Sequence, residues 1–74
     1  MSSTINKDKA LYIQSMVVRE LSRFLEYGDH DIDITDEWVA LCTGISKKQI
    51  FDAIVFLGPE SEVCISNGIV YFRF

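Results

Sequence analysis

Lys47, Lys48 and Gln49 stand in a row and Asp52 follows a turn later, so a helix through this stretch carries four polar side chains of the types that read base edges. Lys48 can donate to guanine O6 and N7, Gln49 can bridge adenine N6 and N7, and Asp52 can accept from cytosine N4. Asp52 also repels phosphate, so it works against its own neighbours. No other chemistry finds its residues. There is no nucleophile elbow, phosphate-cradling glycine loop or workable metal-ligand cluster, and so short a chain offers no deep cleft. Catalysis, a metal, a cofactor and a small-molecule substrate are therefore not expected. Asp29, Asp31 and Asp33 are spaced like calcium-loop carboxylates, but Ile34 falls where the turn glycine belongs and Ala40 where the bidentate glutamate belongs. His30 lies among these carboxylates, which favour its charged form; as a lone loop histidine it is read as solvated.

The polar row needs a rigid support, and residues 35–57 provide one as two helices joined by a tight turn. Thr35 is an N-cap, Asp36 and Glu37 place negative charge on the opening turn, and Gly44 can take the left-handed conformation that ends the first helix. Ser46 opens the second, and with Gln49 three residues on it forms a capping box. Ile50, Ala53, Ile54 and Leu57 are the inward face of that second helix, so Lys48, Gln49, Asp52, Val55 and Phe56 face outward with Lys47 nearer the edge.

A longer helix precedes this pair. Asn6 caps it, Gly28 stops it, and Ala10, Ile13, Val17, Leu21 and Phe24 share its inner face. Leu11, Val18 and Leu25 widen the apolar arc on one side, Met16 and Tyr27 on the other, to more than half the circumference. That exceeds what one small core requires and makes Leu11, Val18 and Leu25 candidates for a subunit or partner interface. Residues 1–5 read as a frayed end. Residues 28–31 are a turn and residues 32–34 a very short strand. After Gly58-Pro59 and the polar Glu60, Ser61 and Glu62, two strands flank Asn67-Gly68, the signature of a two-residue type I′ hairpin. The turn sets Val63 opposite Phe72, Cys64 opposite Tyr71, Ile65 opposite Val70 and Ser66 opposite Ile69. Period-two alternation then turns Val63, Ile65, Val70, Phe72 and Phe74 toward the core.

The whole is one domain of 74 residues, 49 % apolar, with a net charge of −4. Cys42 and Cys64 occupy positions suited to small buried hydrophobes, without metal-binding spacing, and read as free thiols of a cytoplasmic protein. With no charged-then-apolar leader and no run of about eighteen apolar residues, neither secretion nor a membrane span is expected. Seven carboxylates from Glu20 to Glu37 face a single cation, Arg23. A nucleic-acid-binding domain normally shows the opposite balance.

Val39, Ala40, Cys42, Thr43, Gly44, Ile45, Ser46, Ile50, Ala53, Ile54 and Leu57 resemble the helix-turn-helix of winged-helix proteins, whose members often read LA-x-L-T-G-I-S-x-x-x-V-x-x-A-I-x-x-L. The cadence is similar to that of small phage and mobile-element regulators. The resemblance implies a mainly α fold with a small β part (α+β): a winged helix-turn-helix in the order α-β-α-α-β-β, with three helices and a short antiparallel sheet. It also implies a regulator of transcription or replication that binds duplex DNA as a homodimer. Lys47, Lys48, Gln49 and Asp52 would then lie in the major groove, and Arg73, Lys7 and Lys9 on phosphates. Against this, Leu41 stands where the family usually has a polar residue and Val55 where a basic one is common. With Phe51 and Phe56 they give the two helices an apolar exterior, which points instead to an acidic interaction module that docks a protein partner.

Overall fold

The computed structural model describes residues 5–27 and 33–73, apart from the Tyr27 side chain. The expected helix stop at Gly28, the carboxylates Asp29 and Asp31, the imidazole of His30, Ile32, the Tyr27 ring, Phe74 and residues 1–4 lie outside the described residues.

Helix α1 spans Lys7–Tyr27 and begins where Asn6 Oδ1 accepts from the Lys9 amide at 2.8 Å. Its buried stripe is Ala10, Ile13, Val17 and Leu21, four positions on one face. Phe24, expected beside them, is only half-buried. Ile5, expected to fray, packs against the core.

Helix α2, Asp36–Thr43, starts at Thr35, whose Oγ1 accepts from the Trp38 amide at 3.1 Å. It ends at Gly44, whose φ of 74° is left-handed and whose N–H donates to Ala40 O at 2.9 Å. Thr43 Oγ1 donates to Val39 O at 2.7 Å and accepts from the Ile45 amide at 3.2 Å, which ties the turn to the helix it leaves. Helix α3, Lys47–Leu57, opens three residues later with Ser46 Oγ accepting from the Gln49 amide at 3.2 Å. Only this half of the capping box is made; no return bond from the Gln49 side chain forms among the described residues.

Gly58–Glu60 forms a single 3-10 turn with Pro59 near its start, where a missing N–H costs nothing. Ser61, read as part of a polar loop, is instead buried at 3 % exposure. Its hydroxyl donates to Val63 O at 2.6 Å and accepts from the Val63 amide, so it enters the interior satisfied.

Strands β1, Val63–Ser66, and β2, Ile69–Phe72, pair in the expected antiparallel register across Asn67-Gly68. Both turn residues have positive φ, 54° and 77°, as the type I′ hairpin demands. Val63 and Val70 are fully buried, and Ile65 and Phe72 pack against the core from the same face. Of the strand expected over 32–34, the described Asp33 and Ile34 are not in a strand, and the pairing is one bridge a residue later. Thr35 pairs with Ile69, flanked by bonds from the Val70 amide to Ile34 O and from the Asp36 amide to Gly68 O. Thr35 also caps α2, so the pairing cannot run on past it into the helix.

The described architecture is therefore mainly helical α+β, three helices and a two-stranded antiparallel sheet. Val39, Ile50, Ala53 and Leu57 meet the α1 stripe and the two strand valines in one core. Ile50→Ala should lower unfolding free energy by roughly 2–5 kcal/mol, read from urea denaturation monitored by circular dichroism. A Cβ at Gly44 would meet nothing within 4 Å. Gly44→Ala should therefore cost only the left-handed penalty, roughly 1–2 kcal/mol, and Gly44→Asn less.

Candidate interaction surface on the second and third helices

With Ile50, Ala53 and Leu57 turned inward, α3 presents Lys48, Phe51, Asp52, Val55 and Phe56 to the outside. Lys48 is well placed to reach a ligand, with 81 % of its side chain exposed, yet its Nζ lies 3.1 Å from Asp52 Oδ2 one turn along the helix. Lys47 Nζ lies 3.5 Å from Glu37 Oε2 on α2. Both cations of the proposed reading face are thus met by carboxylates. Residues 36–57 hold three acids, Asp36, Glu37 and Asp52, against two bases, Lys47 and Lys48, a balance of −1.

Two further residues depart from the sequence expectation. Gln49 is half-buried on the flank of α3 rather than outward, because it lies about 100° from Ile50 on the wheel. Arg73 is not with the lysines at all. Its Nη1 donates to Gly58 O at 3.3 Å, just past the C-terminus of α3, while Lys47 and Lys48 open that helix. An 11-residue helix puts roughly 15 Å between the two ends. Lys7 and Lys9 stand exposed on the first turn of α1.

The apolar exterior is plain. Leu41 is 77 % exposed, Val55 60 %, Phe51 54 % and Phe56 48 %. Phe51 and Val55 are four residues apart on α3 and form one ridge. Leu41 lines a shallow recess with Ala40, Gly44, Ile45 and Lys47 at the turn. On α1, Leu11 and Leu25 stay exposed, and Val18 is partly covered by the protein's own core.

Trp38, absent from the sequence-derived candidates, is half exposed on the first turn of α2. Its place three residues before Leu41 puts the two on neighbouring positions of the helix, but spacing alone does not show how far the indole is covered. Cys42 is itself exposed rather than buried, and Cys64 is half-buried; both are free. A groove of about 660 Å³ runs beside β2, lined in part by Leu21, Leu25, Ile34, Ile69 and Tyr71. Among the described residues no helix is long and apolar enough to cross a membrane, and no three His, Cys, Asp or Glu side chains are grouped to hold a metal ion.

Across the hairpin, the Cys64 thiol raises the Tyr71 phenol above its ordinary value by hydrogen bonding and by charge, while Ser66 and Arg73 pull the other way. Cys64→Ala should therefore shift the Tyr71 contribution to the phenolate absorbance titration toward lower pH. An unchanged titration curve would remove the thiol as the cause. Comparison with protein-family models, curated proteins and solved structures finds no match to this chain.

Proposed function

We propose that this chain is an acidic module of winged-helix type that docks a protein partner through the exterior of α2 and α3. The observation that carries the reading is the exposure of Leu41, Phe51, Val55 and Phe56 on adjoining helices, beside lysines already engaged by Glu37 and Asp52. Several large apolar side chains on neighbouring turns are what a docking surface displays, and a face of near-zero charge suits protein better than phosphate. Support for the winged-helix form comes from the order of parts. A three-residue turn joins α2 to α3, a hairpin follows, and the backbone before α2 bonds to its second strand. The acids Glu26, Asp33, Asp36 and Glu37 would face a partner whose apolar patch is edged with basic residues.

A second reading, a homodimeric regulator on duplex DNA, draws support from one feature. Lys47 and Lys48 occupy the exposed first turn of a capped helix, the end that enters a groove in such regulators. One pair of measurements separates the two. Val55→Asp and Leu41→Asp, both at exposed positions, should keep the circular dichroism spectrum and lose a protein that wild type captures and binds again after purification. Mixed-sequence duplex DNA, titrated at about 50 mM salt, should give no saturable binding. Tight binding that weakens steeply with salt and fails in Lys48→Ala would overturn the docking reading in favour of DNA.

A further inference from the structure

A second surface, beside the first turn of α2, has the makings of a specific site. Trp38 sits between two small grooves. One, of about 300 Å³, is lined by Glu20, Arg23, Phe24, Trp38 and Cys42. The other, of about 280 Å³, is lined by Phe24, Asp33, Ile34, Thr35 and Trp38. Because both share Phe24 and Trp38, they form one channel that passes the indole ring between α1 and the start of α2.

An indole half open to water leaves a large apolar and quadrupolar surface unused. Its surroundings set which ligand suits it. Arg23 Nη1 lies 3.5 Å from Glu20 Oε2, so the cation at one end of the channel is already met by a carboxylate. At the other end Asp33 lines the groove and makes no ion pair among the described residues. An aromatic face with an unengaged carboxylate beside it is the pairing that holds a guanidinium, which stacks flat on the ring and bonds sideways to the acid.

We propose that the Trp38 channel binds an arginine side chain from a basic segment of a partner protein, with the guanidinium on the indole and bonded toward Asp33. The Asp33 carboxylate repels phosphate, so the occupant is a basic peptide and not a nucleic acid. The lining includes none of Leu41, Phe51, Val55 or Phe56, so substitutions at those positions separate this inference from the docking surface of α2 and α3.

Trp38 is the only tryptophan, so intrinsic emission reports on this site alone. A hexa-arginine peptide titrated into the full chain should change that emission saturably, and a hexalysine peptide should bind more weakly. By calorimetry, Trp38→Leu should weaken hexa-arginine binding by about tenfold with the circular dichroism spectrum kept. Asp33→Asn should weaken it further than the double change Glu60→Gln/Glu62→Gln, which removes more charge elsewhere. Val55→Asp should leave it unaltered. Absence of a saturable emission change, equal binding by Trp38→Leu, or an equal loss in the Glu60/Glu62 variant would reduce the effect to general attraction by an acidic protein and overturn the assignment.

Discussion

A chain of 74 residues encloses too little volume for an apolar content of 49 %, and that mismatch governs the molecule. Its described core is assembled from Ala10, Ile13, Val17 and Leu21 of α1, Val39 of α2, Ile50, Ala53 and Leu57 of α3, and one valine from each strand. Two of these are alanines, small enough for helix backbones to approach closely, so the interior is compact and fills quickly. The apolar residues left over have nowhere inside to go. They emerge on the exteriors of α2 and α3, where Leu41, Phe51, Val55 and Phe56 stand in water, and on α1 at Leu11, Tyr12 and Leu25. The candidate surface is in this sense the remainder of the core.

Local backbone devices keep that remainder presented and prevent it from collapsing inward. Gly44 reverses the chain in a left-handed conformation, Thr43 bonds on both sides of the turn, and Ser46 starts α3 within three residues. The hairpin closes the other side, and Ser61 locks its entry with a buried hydroxyl. Orientation of the α3 exterior follows from these bonds and from Ile50, because rotating the helix would expose Ile50 and bury Asp52.

Features decided by a few adjacent residues could be read from the sequence. Asn67-Gly68 admits essentially one tight hairpin, and the pairing of Val63 with Phe72 follows from it residue by residue. The caps at Asn6, Thr35 and Ser46 are equally local. Features decided by what lies across the fold could not be read this way. Val18 is partly covered by the core, and the Arg73 guanidinium reaches Gly58 O at the far end of α3 from the lysines, neither of which spacing along the chain shows. The pairing before α2 falls at Thr35, where a single residue serves both a bridge to Ile69 and a cap, and alternation of Ile32, Asp33 and Ile34 does not show that. No periodicity shows whether Phe24 buries the Trp38 indole or only borders it.

The choice between phosphate and protein at α3 comes down to what each partner must displace. A phosphate reaching Lys48 competes with Asp52, which already supplies a charge-assisted bond at 3.1 Å and stays beside any incoming anion as a like charge. An exposed pair of this kind contributes at most about 1 kcal/mol, so breaking it is cheap, but the repulsion persists after it is broken. A protein surface closing over Phe51, Val55 and Phe56 removes apolar area from water at about 25 cal/mol per Å², and the Lys48–Asp52 and Lys47–Glu37 pairs can remain intact at its rim. The first partner works against the local charge, and the second leaves it undisturbed. The ion pairs that look on the sequence like groove-reading lysines thus act in the fold as a neutral border around an apolar ridge.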